Sequence, residues 1–309
     1  MLARCYGAPR PMLESIIDTR RRRPEAIAQA AAGRRRPEPA DRLLVVAADH
    51  PARGSLGAGA GAHAMADRGE LLRRLCHALS RPGVNGVLGT PDIVEYLLLA
   101  GALDGKHVYG SMNRGGLAGA AFEIDDRFTA YDAATIAATG LDGGKMLLRI
   151  DPSDPATAPT LEACARAVGE LAALKLPAMI EPFMASRRDG RVRNDLSPDA
   201  AIRAISIASA LGPTSAYTWL KIPVVDEFER VMAATTLPSL VLGGEVSADQ
   251  EATFASWRAA LAVPHVFGLV VGRSLLYPPD DDVTATVDAA AAIAHGEAQP
   301  AGAGGVVAP

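Results

Sequence analysis

Residues 239–275 read SLVLGGEVSADQEATFASWRAALAVPHVFGLVVGRSL, two short apolar runs on either side of a longer amphipathic segment. Apolar runs of this length are typical of buried parallel strands, and the segment between them has the spacing of a crossover helix. The same alternation begins near residue 43 and recurs along the chain. This pattern predicts βαβ units and an α/β fold with a parallel sheet.

Eight such apolar runs can be counted, and helix-like segments separate them. The runs are LLVVAADH (43–50), VNGVLGT (84–90), KHVYGSM (106–112), GKMLLRI (144–150), PAMIEPF (177–183), YTWLKIP (217–223), SLVLGGE (239–245) and VFGLVVG (266–272). A doubly wound sheet would also alternate in this way, but eight evenly spaced units favour closure into a (β/α)8 TIM barrel. We expect the active site at the carboxyl ends of the strands, where the polar residues collect.

The barrel is predicted to span residues 41–296, with an N-terminal helical extension over 1–40 and a flexible tail over 297–309. The extension carries the basic runs 20–23 and 34–36, but no aromatic residue interleaves these charges. We interpret it as a solvated helix that covers the barrel bottom or a neighbour, rather than as a nucleic-acid arm.

The overall composition is that of a globular protein with a large buried core. Hydrophobic residues make up 49% of the 309 residues, charged residues 21%, and the formal net charge is −4. This balance does not attract nucleic acid or an anionic membrane, so we expect a small-molecule partner. The three cysteines are widely spaced, and no apolar leader or spanning segment precedes the barrel. A cytoplasmic protein with reduced thiols and no metal or cofactor is therefore predicted.

Lys221 is the strongest candidate for a catalytic residue. It lies in TWLKIPV, an apolar strand where a charged amine is costly to bury. Strand alternation places it on one face with Trp219 and Pro223, which predicts a side chain that points into the barrel lumen. Burial lowers the pKa of an amine, and a neutral amine can attack a carbonyl to form an imine. The alternative is a lysine that reaches solvent from the strand end.

Charged residues on three other strands are predicted to face the same lumen. Lys145 and Arg149 share a face of the fourth strand, and their charges would lower the pKa of a neighbouring amine or hold an anion. Lys145 could alternatively cap the bottom of its strand. Glu181 precedes a proline near the end of the fifth strand and is a candidate general acid or base, or a partner of a lysine. The alternative is an acid whose hydrogen bonds are satisfied within the core. Asp49 repeats this pattern on the first strand, whereas the adjacent His50 is a weaker candidate.

Glycines after the last two predicted strands point to a phosphate. Gly243, Gly244 and Gly272 would let backbone N–H groups approach an anion, and barrels often bind phosphate at this place. Arg273 would supply the counter-charge, and Ser247 is a candidate N-cap for the helix that follows.

Two further loops carry residues that could bind a ligand. Asn113 follows the third strand and could orient a substrate hydroxyl, although a role in a turn is an equal alternative. The glycine-rich stretch 54–63 has no strand directly before it, so we interpret it as a lid or loop rather than a dinucleotide site.

The blocks KMLLRID, MIEPFM, WLKIPV, GGEVSA and VVGRSLL resemble the strands of class I (Schiff-base) aldolases. The chain resembles tagatose-bisphosphate and sulfofructose-phosphate aldolases over residues 43–277, and more distantly archaeal-type fructose-bisphosphate and deoxyribose-phosphate aldolases. The resemblance implies that Lys221 forms the imine and that Lys145, Glu181 and Asp49 assist it. The phosphate loops of those enzymes correspond to Gly243, Gly244, Gly272 and Arg273.

Arg149 departs from the resemblance, because those enzymes carry an aromatic residue there. The chain also resembles actinobacterial barrel proteins that are deoxyribose-phosphate aldolase-like and sometimes associated with inositol breakdown. This implies a phosphorylated ketose or keto-deoxy sugar acid as substrate, such as 5-dehydro-2-deoxygluconate 6-phosphate, with Arg53 and Arg149 on the carboxylate. We also expect a homo-oligomer. Two alternatives stay open: a metal-dependent aldolase or isomerase, and an idle sugar-phosphate-binding barrel with a regulatory or scaffolding role.

Overall fold

The computed structural model of the protein describes residues 9–113 and 116–296. The predicted flexible tail, residues 297–309, and the beginning of the predicted extension, residues 1–8, lie outside this part of the chain. Cys5 lies outside it as well, while the side chains of Cys76 and Cys164 are buried.

Eight parallel strands close into a barrel, so the prediction of a (β/α)8 TIM barrel is confirmed. The strands are β1 Leu43–Ala47, β2 Gly86–Gly89, β3 His107–Ser111, β4 Gly143–Ile150, β5 Ala178–Arg188, β6 Arg191–Asn194, β7 Thr218–Pro223, β8 Ser239–Leu242 and β9 Val266–Val271. All except β6 belong to the barrel. The ring closes where β9 pairs with β1, and β5 pairs with β7 because β6 lies outside it.

The helices are α1 Pro9–Arg22, α2 Glu25–Gly33, α3 Arg68–Ser80, α4 Pro91–Leu99, α5 Ala133–Ala138, α6 Thr157–Ala173, α7 Pro198–Ser209, α8 Phe228–Met232, α9 Gln250–Leu261, α10 Arg273–Leu276 and α11 Val283–His295. Four of the helices, α3, α6, α7 and α9, lie where amphipathic segments between the apolar runs predicted crossover helices. One predicted cap was wrong. The N-cap of α9 is Asp249, which accepts from the amide of Ala252, while Ser247 accepts from Asp249 in the turn before it. Ser247 and Asp249 are both residue types that favour the N-cap position, and Asp249 is the one that lies at the start of the helix.

The lower part of the barrel lumen is filled by aromatic side chains. Tyr109, Trp219 and Phe267 come from three different strands, and the ring centroids of Trp219 and Phe267 are 4.9 Å apart. Trp219 lies near the start of β7, so residue 221, two positions later, faces the lumen one layer nearer the carboxyl end. These aromatic side chains close the lower part of the lumen. Any site in the barrel therefore lies in the layer above them, nearer the carboxyl ends of the strands.

A hairpin that the sequence analysis missed extends from the barrel top. β5 was predicted to end at residue 183 but runs to Arg188, and β6 returns antiparallel to it. The turn between them is Asp189-Gly190, whose φ angles of 50° and 75° are those of a tight hairpin turn. The Asp-Gly pair in RRDGRVR was the signal that could have revealed it.

The N-terminal segment packs on the barrel. α1 contacts α3, α2 contacts α4, and the guanidinium of Arg20 pairs with Glu95 at 2.7 Å. Buried Arg34 donates to the carbonyls of Lys106 at 2.5 Å and Gly140 at 2.6 Å, just before β3 and β4 begin. These contacts at the barrel bottom favour a packed helix over a nucleic-acid arm.

Replacing Arg34 by alanine is expected to lower the free energy of unfolding by about 2–3 kcal/mol, because the carbonyls of Lys106 and Gly140 and the carboxylate of Asp142 lose a charged donor. Chemical denaturation of the purified variant measures this loss. The matched control is Arg21→Ala, since Arg21 is exposed and should change stability by less than about 0.5 kcal/mol. Equal effects from the two variants would show that the N-terminal segment does not hold the barrel bottom.

No helix in the described ranges combines the length and the apolar character that a membrane span requires.

Candidate active site

A cavity of about 960 Å³ opens at the carboxyl ends of the barrel strands. Its walls come from the ends of β1, β4, β5, β7, β8 and β9, and the β6 segment of the hairpin adds to one side. All of the predicted site residues except Asn113 line it. The site therefore lies where barrel enzymes place their chemistry.

Four of these residues form a continuous chain of ion pairs across the lumen. The Nζ atom of Lys145 lies 2.8 Å from Asp49 Oδ2 and 2.7 Å from Glu181 Oε2. The same Glu181 oxygen lies 3.0 Å from the Nζ atom of Lys221. Lys221 and Lys145 are each only 4% exposed. Both lysines face the lumen, so the alternatives in which Lys221 reaches solvent or Lys145 caps the strand bottom do not describe the fold.

Burial and neighbouring charges drive the pKa values of the two lysines apart. Burial lowers the pKa of Lys221, and the charge of Lys145 lowers it further, although Glu181 and Asp49 act in the opposite direction. Burial would also lower the pKa of Lys145, but its two carboxylate partners outweigh burial and raise it. Lys145 is therefore held as a cation, and Lys221 is the amine that can become neutral. Amines poised in this way are common at functional sites.

The two carboxylates remain ionised for the complementary reason. Burial raises the pKa of Glu181, but the charges of Lys145 and Lys221 outweigh it, so that the pKa falls to about 2. For Asp49, burial is likewise overcome by Lys145 and by the neighbouring His50, and its pKa is lowered. Both groups can accept protons or hydrogen bonds at neutral pH.

Gly243 and Gly272, after β8 and β9, are packed so closely at the cavity wall that a larger residue would not fit. A Cβ atom on Gly243 would lie 2.3 Å from a methyl group of Val271, and one on Gly272 would lie 2.3 Å from the carbonyl oxygen of Ala47. Arg273 starts the short helix α10, and its Nε atom is buried with no hydrogen-bond partner among the described residues. This wall presents backbone and one guanidinium to the cavity.

Two further arginines, Arg53 after β1 and Arg149 on β4, line the cavity. Burial lowers the pKa of Arg53, and the nearby charge of Arg149 lowers it further. Arg149 pairs with Glu123, a buried residue of the loop after β3 that the sequence analysis missed. Part of the charge of Arg149 is thus already balanced within the protein, while its Nε atom is buried and unpartnered among the described residues.

Asn113 does not occupy the position that its predicted role requires. Its amide donates to the carbonyl of Leu147 at 2.7 Å and accepts from the amide of Leu147 at 2.9 Å. Because both ends of the side chain are bound to Leu147, the amide fastens the segment after β3 to the middle of β4 and does not line the cavity. The sequence showed a polar residue at a strand end, but it did not show these partners.

Hydrogen bonds join three segments around the cavity mouth. The amide of Ala118 donates to the carbonyl of Arg53 at 2.9 Å, and Glu123 lies in the same loop as Ala118. Arg187, in the hairpin, donates to the carbonyl of Ala121 at 2.8 Å. The turn after β1, the loop 116–124 and the β5–β6 hairpin are therefore connected side by side.

No group of three His, Cys, Asp or Glu side chains within residues 9–113 and 116–296 could hold a metal ion.

The Cgl0159-like family matches residues 41–291, which is most of the chain. This chain belongs to the Cgl0159-like family. Cgl0159 from Corynebacterium glutamicum (Brevibacterium flavum), whose crystal structure is known, is 54% identical in sequence to this chain, and the two structures align with a TM-score of 0.90. The match covers 93% of this chain and 97% of that chain. No curated protein matches this sequence.

The Cgl0159-like barrel also resembles fructose-bisphosphate aldolases. An archaeal fructose 1,6-bisphosphate aldolase is 19% identical with a TM-score of 0.60, and the match covers 83% of this chain and 94% of that chain. A Schiff-base-forming fructose-1,6-bisphosphate aldolase is 20% identical with a TM-score of 0.57, over 82% and 94%. At these identities the likeness shows an aldolase-like fold. The closer resemblance to tagatose-bisphosphate and sulfofructose-phosphate aldolases stays a prediction.

Proposed function

We propose that this protein is a class I aldolase that cleaves or forms a C–C bond through an imine on Lys221. The observation that carries the proposal is the Nζ atom of Lys221, buried in the lumen 3.0 Å from Glu181 and facing a large cavity. A desolvated amine with a lowered pKa is a nucleophile for ketones. The fold shared with Schiff-base-forming aldolases supports the same chemistry.

The first half of the reaction builds the imine. Glu181 takes a proton from the Lys221 ammonium, and the neutral nitrogen attacks the ketone carbon of the substrate. A proton moves from nitrogen to the new alkoxide, which gives the carbinolamine. Glu181 then returns its proton to the hydroxyl, which leaves as water, and the protonated imine remains. The short distance from Glu181 to Lys221 places one carboxylate at both proton transfers.

Lys145 and Asp49 support this step without a direct part in bond formation. Lys145 holds Glu181 at 2.7 Å, keeps it ionised and lowers the pKa of the nucleophile. Asp49 in turn holds Lys145 at 2.8 Å. The protonated imine then withdraws the electron pair of the breaking C–C bond, which leaves an enamine on Lys221.

We further propose that the substrate is a phosphorylated ketose or a keto-deoxy sugar acid. Gly243, Gly244, Gly272 and Arg273 would hold the phosphate, because they bring backbone N–H groups and a guanidinium to one wall. Arg53, with Arg149 beside it, would hold a carboxylate. The candidate 5-dehydro-2-deoxygluconate 6-phosphate carries both groups. The cytoplasmic location and the homo-oligomer stay predictions.

The test is reduction with borohydride in the presence of a panel of ketoses, followed by peptide mapping. Phosphorylated ketoses are expected to leave a stable adduct on Lys221, and their unphosphorylated counterparts are expected to label at least about tenfold less at equal concentration. Cleavage should persist in EDTA, and loss of cleavage there would favour the metal-dependent alternative. Binding of sugar phosphates with no adduct would favour the idle barrel and would remove the proposal.

A further inference from the structure

Cleavage through an imine on Lys221 requires one more proton carrier. A base must accept the proton of the hydroxyl group that becomes the carbonyl of the departing aldehyde. After the aldehyde leaves, an acid must deliver a proton to the carbon of the enamine. Neither transfer occurs at the nitrogen of Lys221, so the Glu181 carboxylate beside that nitrogen is not placed for both.

The other carboxylates at the cavity are either already paired with a cation or exposed at the cavity mouth. Asp49 accepts from Lys145 at 2.8 Å, and Glu123 pairs with Arg149 while its other oxygen accepts from the amide of Gly119 at 2.9 Å. Glu245 lies on an exposed loop at the mouth. The cations Arg53, Arg149 and Arg273 cannot accept a proton. The base must therefore be sought among the uncharged side chains of the cavity.

His50 is a titratable side chain at the cavity, 18% exposed, that the imine steps leave unused. It follows Asp49 at the end of β1 and lines the same cavity as Lys221. Its Nδ1 atom lies 3.8 Å from Asp49 Oδ1 and forms no hydrogen bond in the described part of the chain. The ring packs beside the backbone of Gly272, since its Cε1 atom would lie 3.2 Å from a Cβ placed there.

His50 and Lys221 lie at opposite ends of one chain of polar groups. The order along this chain is His50, Asp49, Lys145, Glu181 and Lys221, with each neighbouring pair in contact or nearly so. The glycine turns after β8 and β9 also lie between His50 and Lys221, because β7 pairs with β8, β8 with β9, and β9 with β1. A substrate bound covalently to Lys221 that reaches toward the glycine wall therefore extends toward His50. The part of the substrate beyond the ketone carbon is then the part that faces the imidazole.

We propose that His50 is the catalytic residue that takes the hydroxyl proton during C–C cleavage and returns it to the enamine carbon. This inference rests on the proposed function. The imidazole accepts the O–H proton as the C–C bonding electrons move into the protonated imine, and the aldehyde departs. The imidazolium then protonates the enamine carbon and regenerates the protonated imine, which water hydrolyses to release the ketone. Each proton taken is returned, and no further reactant besides water is needed.

The charges around His50 are consistent with a neutral ring before the substrate binds. Burial lowers the pKa of His50 to about 3, and Arg273, Lys221 and Arg53 lower it while Asp49 raises it. A phosphate dianion beside Arg273 would offset that cation and raise the pKa again. Substrate binding would thus bring the base closer to the range in which proton transfer is efficient.

The experiment compares imine formation with carbon protonation, using dihydroxyacetone phosphate as the probe. Wild type, His50→Gln and His50→Ala are each reduced with borohydride in its presence, and each is also incubated with it in D2O. Exchange of the carbon-bound proton is followed by NMR. In His50→Gln, we expect the Lys221 adduct to form as in wild type and exchange to slow by about a hundredfold or more. Added imidazole should restore part of the exchange in His50→Ala.

The outcomes separate this inference from the function on which it rests. If wild type forms no adduct, the proposed function fails and the role of His50 falls with it. If wild type forms the adduct and His50→Gln still exchanges within about threefold of wild type, only the role of His50 is refuted. Loss of the adduct in His50→Gln would also refute it, because His50 would then act on imine formation or on the structure of the site.

Discussion

Replacing Lys221 by methionine is expected to abolish borohydride trapping and to lower the rate of aldol cleavage by at least about a thousandfold. Methionine has a similar length and fills the same space, but it offers no nitrogen to the ketone. Steady-state cleavage of the best phosphorylated ketose, together with mass spectrometry of the reduced protein, measures both effects. The residual rate reports what the rest of the cavity contributes.

The matched control is Lys175→Met, because Lys175 is an exposed lysine on the barrel surface. It should retain both the adduct and the rate. If Lys221→Met kept most of the cleavage activity, or if the adduct mapped to another lysine, the imine would have been assigned to the wrong residue.

Lys145→Met is expected to cost about 3–5 kcal/mol of unfolding free energy, because it leaves two buried carboxylates without their shared cation. Denaturant titration at pH 7 measures this loss. The control is the double variant Lys145→Met with Asp49→Asn, which removes one of the stranded charges. Recovery of at least about 1 kcal/mol in the double variant would demonstrate the coupling between these residues.

The loss in Lys145→Met should also depend on pH in a defined direction. In wild type, Glu181 has a folded-state pKa of about 2, below the ordinary value of 4.5, so its contribution to stability is present above pH 4.5 and is lost as the pH falls toward 2. Without Lys145 this contribution is largely absent at every pH. The difference between variant and wild type should therefore shrink on acidification, and a constant difference would argue against the ion-pair chain as its cause.

Strand alternation predicted the core of the site, although it left open whether Lys221 reaches solvent and whether Lys145 caps the bottom of its strand. Lys145, Glu181 and Lys221 each lie in an apolar strand whose neighbours two positions away also face the lumen. A period of two in a closed barrel leaves only an inner and an outer face, so the orientation of each side chain followed from its position. The polar layer near the carboxyl ends followed for the same reason.

The partners of these side chains could not be predicted in the same way. Glu123 lies in a loop without periodicity, so its pairing with Arg149 depends on a loop path that the sequence pattern does not encode. Asn113 was identified as a polar residue at a strand end, but only the register of β3 against β4 places its amide on Leu147. The β5–β6 hairpin was missed because its exposed strand carries charges instead of an apolar run.

The hydrogen bonds between the turn after β1, the loop 116–124 and the hairpin have a consequence for ligand entry. They join the three segments into one connected rim along one half of the cavity mouth. The glycine turns after β8 and β9 form the other half. For the cavity mouth to widen on this side, the three segments must shift together. A substitution that loosens any one of these junctions should therefore change how quickly ligands enter and leave, even where it touches none of the reacting groups.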